Sequence, residues 1–205
     1  IFLFISQSSS GQVKNNGGKV SIALTYLRNG NQLVELEKYK DAIIEFDKSI
    51  RQMPYSTTYF ARGDAKYSLG EYEGAILDFD TTLNLNSNHE DAYLLRAYAK
   101  QYLSRYKAAI LDCDRLILRN PKNSYAFLAR GITRQYQAWE NGNLDSSKLE
   151  LAIIDFNKSI SLNSSSDYVF YRRSIAYSDI GWYKEALIDC NRAIEIKPSR
   201  FNYQQ

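Results

Sequence analysis

The stretch that decides the fold runs Tyr59-Phe60-Ala61-Arg62-Gly63-Asp64-Ala65-Lys66, then Leu69-Gly70-Glu71-Tyr72, then Ala75-Ile76-Leu77-Asp78-Phe79, and closes at Leu83. Apolar and small residues recur at three- and four-residue steps on both sides of Gly70. That spacing predicts two short amphipathic helices joined by a tight turn. The same pattern returns along the chain with a period near 34 residues, the mark of a solenoid of helical hairpins.

The columns make this concrete. The alanine of the second helix recurs as Ala42, Ala75, Ala109, Ala152 and Ala186, followed by Ile43, Ile76, Ile110, Ile153 and Leu187. Four residues after the alanine stand Phe46, Phe79, Cys113, Phe156 and Cys190; three before it stand Tyr39, Tyr72, Tyr106, Leu149 and Tyr183. The first helix carries a small residue as Gly30, Gly63, Ala97, Gly131 and Ser174, and Pro54, Pro121 and Pro198 close three of the units. On these columns the chain resembles the tetratricopeptide repeat family over roughly residues 20–198. Arg-Gly in the first helix and Ala-Ile-x-Asp in the second resemble a bacterial subclass of it. The resemblance implies an all-α fold, a right-handed α-α superhelix of about five hairpins. It says little about function, which sits in sites grafted on the fold.

The expected organisation is an apolar and Ser/Gly-rich segment over 1–18, five repeats over about 20–55, 56–89, 90–123, 124–166 and 167–198, and the start of a further helix over 199–205. The fourth repeat carries an insertion over 139–147 with Trp139 and Asn141-Gly142-Asn143. Asn-Gly reads as a helix stop. Ser147-Lys148-Leu149-Glu150 reads as a capping box that opens the next helix. Residues 6–18 read as a linker. Ile1-Phe2-Leu3-Phe4-Ile5 are too few to span a bilayer. They read as the tail of a signal-peptide apolar region or as an incidentally apolar terminus. The sequence thus leans to export, with the cytoplasm as the alternative.

With 205 residues, 44% hydrophobic and 24% charged, the composition is that of an ordinary soluble chain; a net charge of +3 is too small to argue for nucleic acid on its own, and no nucleic-acid partner is expected. One histidine, His89, rules out a multi-histidine metal site within the chain. It sits at a repeat junction and reads as solvated. No Gly-rich phosphate loop, Cys-x-x-Cys or nucleophile elbow is present, so neither an enzyme nor a cofactor is expected. The two cysteines fall in equivalent core columns two repeats apart, too far to bridge if successive helices stack about 10 Å apart. They read as small buried hydrophobes.

Two sets of side chains remain. Arg62, Arg96, Arg130 and Arg173 hold one column of the first helix, and Glu45, Asp78, Asp112, Asp155 and Asp189 hold one of the second. Lys66, Lys100 and Arg134 follow four residues after the first three arginines, whereas repeat 5 has Tyr177 there and repeat 1 has Asn29 for arginine. Matching periods predict a structural ladder of interhelical ion pairs; a basic track for phosphate is the competing reading.

The second set follows from the family resemblance, in which first helices line a concave groove. By register the stripe is Leu27, Asn31 and Val34; Phe60, Asp64 and Tyr67; Asp91, Tyr98, Gln101 and Tyr102; Tyr125, Ile132, Gln135 and Tyr136; and Tyr168, Tyr171, Ile175 and Asp179. A tyrosine-rich stripe suits an extended peptide or a partner helix. The two-carboxylate clamp of chaperone-binding members is absent: the matching positions are Leu27, Asn31, Ala61, Asp91 and Leu95, and only Asn31 fits. Trp139 in the insertion is a second candidate contact. The sequence therefore predicts a non-enzymatic scaffold for a protein or peptide partner. The alternative is self-association through an open C-terminal face carrying Leu187 and Ile194.

Overall fold

A computed structural model describes residues 8–163 and 165–198. Among these it shows ten α-helices, one 3-10 turn and no strand. They are α1 Ser8–Glu35, α2 Tyr39–Gln52, α3 Ser56–Ser68, α4 Tyr72–Leu85, α5 Glu90–Tyr102, α6 Tyr106–Arg119, α7 Ser124–Ala138, α8 Ser146–Leu162, α9 Asp167–Asp179 and α10 Tyr183–Ile196. The chain forms two compact units, divided inside α5 after Leu95. In the first, α1 packs on α2 and α3, and α3 on α4. In the second, α7 packs on α8 and α9 on α10, with α6 against α7 and α8 against α9. The apolar run over 1–5 and the expected C-terminal extension over 199–205 lie outside the described residues.

The turns repeat as closely as the helices. Glu37, Gly70, Ser104 and Gly181 hold one column, and all four have left-handed backbone, with φ of 57°, 78°, 56° and 82°. In each, the following residue donates its N–H five residues back: Lys38 to Leu33, Glu71 to Lys66, Arg105 to Lys100, and Trp182 to Tyr177. This six-to-one bond, with the left-handed residue bonded to the carbonyl three back, is the Schellman ending of a helix. Glycine is at ease there; Glu37 and Ser104 are not.

The packing logic is a match of small against large. Ala42, Ala75, Ala109 and Ala152 are fully buried, and Ala186 nearly so. Gly30, Gly63 and Gly131 lie against the rings of Phe46, Phe79 and Phe156. A Cβ added at these glycines would stand 2.3, 2.8 and 2.6 Å from the ring. Where that column holds cysteine, the small residue grows to alanine or serine: Ala97 with Cys113, Ser174 with Cys190. Cys190 also donates its thiol to the Ser174 hydroxyl at 3.3 Å. Both cysteines are free, and only Cys113 is fully buried, so the reading of Cys190 as a core residue is corrected to half-buried.

Three local expectations change. The helix that the sequence starts near Val20 runs back to Ser8, through the stretch read as a linker. No proline interrupts it, and propagation from a packed helix adds one hydrogen bond for each residue fixed. In the insertion, α7 ends at Ala138, ahead of Asn141-Gly142, and a 3-10 turn spans Glu140–Gly142. Asp145, not Ser147, caps α8: its carboxylate accepts from the Ser147 N–H at 3.2 Å and from the Ser147 hydroxyl. A charged cap is favoured at a helix N-terminus, and the Ser147 bond pulls the Asp145 pKa below the usual range.

Candidate functional site

The charged columns meet as ion pairs. Arg62 donates from Nε and Nη2 to the two oxygens of Asp78 at 2.9 and 2.5 Å, and Arg96 does the same to Asp112 at 2.9 and 2.6 Å. Arg130 reaches Asp155 at 3.0 and 2.6 Å, and Arg173 reaches Asp189 at 2.6 and 2.7 Å. All four aspartates are buried. Lys66, Lys100 and Arg134 add a second base to the first three at 2.8, 2.7 and 2.6 Å. Asp189 receives none at that position, where Tyr177 stands. In repeat 1, Glu45 pairs within its own helix with Lys48.

The guanidiniums of Arg62, Arg130 and Arg173 also reach a third acceptor that the sequence reading missed. Nη1 of Arg62 donates back to Asp47, that of Arg130 to Asp114, and that of Arg173 to Asn157. These acceptors sit one residue after the aromatic or cysteine column, so the period was legible. Burial drives the Arg62 and Arg130 pKa values down, but the hydrogen bonds from their carboxylate partners outweigh it and the net direction is up. The Arg62, Arg130 and Arg173 guanidiniums are thus engaged by acceptors within the fold.

In the first unit, α1 and α3 enclose a groove of about 290 Å³ lined by Leu27, Asn31, Val34, Thr57, Phe60, Ala61 and Asp64. His89 stacks on one of its walls, its ring centroid 4.3 Å from that of Phe60. It is not a solvated junction residue: Nδ1 accepts the Ala92 N–H at 3.3 Å and caps α5. Tyr67 is not among the lining residues; its ring packs edge-on against Tyr72 across the turn, with centroids 5.5 Å apart. Asp64 is half-buried, and burial, then the nearby charge of Asp91, pushes its carboxyl pKa up.

The second unit presents a different surface. Tyr102, Tyr125 and Tyr136 are exposed, while Tyr98 and Tyr171 are half-buried. Burial raises the Tyr98 hydroxyl pKa strongly. Arg172 lies over the Tyr136 ring, 5.3 Å from its centroid. Gln101 accepts from Thr133 at 3.0 Å. Gln135 departs from the expected groove position: it is only 4% exposed, because its carboxamide is taken up by Arg172 between α7 and α9. Trp139 is 49% exposed and donates from Nε1 to Asp179 at 3.3 Å, which ties the insertion to α9.

One further surface went unread in the sequence. Ile44, Leu77, Leu111, Ile154 and Ile188 form a column two residues after the alanines, and all are 49–67% exposed. Among the described residues, no group of His, Cys, Asp or Glu is arranged to hold a metal ion, and no helix is long and apolar enough to cross a membrane.

Comparison with known proteins bears on the fold. The tetratricopeptide repeat family model matches residues 168–200, a span that takes in the α9–α10 hairpin. The structure of MamA residues 41-end from Desulfovibrio magneticus RS-1 superposes with a TM-score of 0.74 at 18% identity, covering 88% of this chain and 97% of that one. The fold is that of the tetratricopeptide repeat. TTC0263, a thermophilic protein of this repeat class from Thermus thermophilus, is similar with a TM-score of 0.68 at 18% identity, covering 86% and 92%. YrrB, described as such a protein with an unusual peptide-binding site, gives 0.64 at 19% identity, covering 95% and 94%. No curated protein matches the sequence.

Proposed function

We propose that this chain is a non-enzymatic protein-interaction scaffold that receives a short extended segment of a partner between first helices of its tetratricopeptide hairpins. The observation that carries this reading is the α1–α3 groove. Four of the seven lining residues are aliphatic or aromatic, with Asn31, Thr57 and Asp64 as the polar groups that fix register. At about 290 Å³ the groove sits at the small end of ligand sites, so it suits one or two side chains of a peptide and not a large cofactor. YrrB, similar in fold and described as having a peptide-binding site, points the same way.

The test uses Asn31 and Thr57, polar groove residues that lie outside the buried core. Phage-displayed random peptides are selected on the native chain and then on an Asn31→Trp, Thr57→Trp double variant, which fills the groove. Peptides that bind the first and not the second support the proposal. Equal capture by both would remove the groove from it.

A second reading has its own observation. Leu187 is 63% exposed, whereas its column mates Ile76 and Ile153 are 7% exposed beneath their neighbours. With Ile188 and Ile194 it forms an apolar face on α10 that suits assembly with another copy. Gel filtration of the native chain and of Leu187→Glu with Ile188→Glu separates the cases. A concentration-dependent shift that the double variant abolishes supports assembly.

A further inference from the structure

The acids of the ladder are all answered. Asp78, Asp112 and Asp155 each face two bases or more, Asp189 one, and Asp47 and Asp114 take the third arm of an arginine. Asp64 stands apart. It lines the α1–α3 groove, is half-buried, and among the described residues has neither hydrogen bond nor ion pair. The bases of its own helix, Arg62 and Lys66, both turn to Asp78 on α4. The other lining residues, Leu27, Asn31, Val34, Thr57, Phe60 and Ala61, bring no positive charge, and the nearby charge from α5 is a second carboxylate, Asp91.

A half-buried carboxylate without a partner, beside a like charge and apolar walls, destabilises the fold that holds it. The same burial and like charge raise the Asp64 pKa. The shape is equally selective. A lysine or arginine lays its methylene stem on apolar surface and presents its charge at the tip. Leu27, Val34 and Phe60 offer that surface, and Asp64 stands with them in the groove. We infer that the α1–α3 groove binds a lysine or arginine side chain of an extended partner segment, its stem on Leu27, Val34 and Phe60 and its charge on Asp64, with Asp91 adding to the field. This rests on the peptide-scaffold reading above and specifies its ligand. It is also opposite in charge to the acidic C-terminal tails that a two-carboxylate clamp would hold.

The experiment is a positional array of capped nonapeptides, each fixed at its central position as Lys, Arg, Gln or Glu with equal mixtures elsewhere. Binding to the whole chain is read by fluorescence polarisation. A charge-assisted pair in a partly desolvated site corresponds to about tenfold preference for Lys or Arg over Gln, and more over Glu. Asp64→Asn keeps the shape and removes the charge, so it is expected to erase that preference while the chain itself becomes no less stable. Asn31→Arg supplies a competing cation from within the groove and is expected to weaken every basic peptide. Binding that is blocked by the Asn31→Trp, Thr57→Trp pair but is indifferent to the central charge would overturn the cation and leave the groove standing. Binding indifferent to that pair, or no binding by any pool, overturns both. A basic preference that survives Asp64→Asn places the cation elsewhere and also overturns the inference.

Discussion

The sharpest test of the packing scheme is Gly131→Ala. In an exposed helix interior this change stabilises by about 1 kcal/mol, because glycine loses more backbone freedom on folding. Here the new Cβ would stand 2.6, 2.9 and 3.1 Å from three carbons of the Phe156 ring, which is fully buried and has no room to retreat. Overpacking of this kind costs about 1–3 kcal/mol, and contact with three ring atoms puts it at the upper end. Subtracting the helix gain leaves a net loss of about 2 kcal/mol. The chain itself contains the remedy, since Ala97 faces Cys113 where Gly131 faces Phe156. Phe156→Cys alone should cost about 3 kcal/mol as a truncation with a cavity. In that background the clash is gone, and adding Gly131→Ala should stabilise by up to about 1 kcal/mol. Urea denaturation followed by far-UV circular dichroism on the four proteins reads the effect as midpoints at constant slope. The reasoning fails if Gly131→Ala has the same sign with and without the ring.

Three further outcomes follow from the geometry. Glu37→Gly and Ser104→Gly, at left-handed turn positions that Gly70 and Gly181 fill elsewhere, should each raise stability by about 0.5–1 kcal/mol in the same assay. Asp155→Ala leaves Arg130 and Arg134 without their shared buried anion and should cost about 3–5 kcal/mol; Asp189→Ala strands one arginine and should cost less, and a reversed order would refute the ladder. Asp64 has a raised pKa in the fold, so its own contribution to stability is fully present below the ordinary carboxyl range and is lost as pH rises through the raised value. Asp64→Asn should therefore be the more stable protein at neutral pH, with the difference closing in acid; thermal melts from about pH 3 to 7 that run parallel would refute it.

The hairpins and their core columns were legible because they repeat: the alanines, most of their bulky partners and the arginine–aspartate spacing could be read by counting. What a period does not reveal is which way a non-repeating side chain turns. Gln135 occupies a stripe position by register, yet Arg172, which holds no column, draws it inward. His89 is single in the chain, so no column could announce that it caps α5 and stacks on Phe60. The early part of α1 escapes the sequence for a related reason: Asn15-Asn16-Gly17-Gly18 has linker composition, and local propensity is a weak guide when a packed helix lies next to it. The groove residues Thr57 and Ala61 share the Asp64 face of α3 by helical spacing, but only the packing of α1 on α3 makes that face one wall of a groove.

The reciprocal fit of Gly with Phe, and of Ala or Ser with Cys, has a bearing on how such a gene can be edited. Each pair spans the two helices of one hairpin, so duplication or exchange of entire hairpins carries both members together. A crossover falling at the Schellman turn would instead join the first half of one hairpin to the second half of another. Alanine would then meet phenylalanine, or glycine would face cysteine across a void. Breakpoints between hairpins therefore keep every pair, whereas a breakpoint within a hairpin, such as at Gly70, breaks the pair whenever it joins a Gly–Phe hairpin to one that carries cysteine.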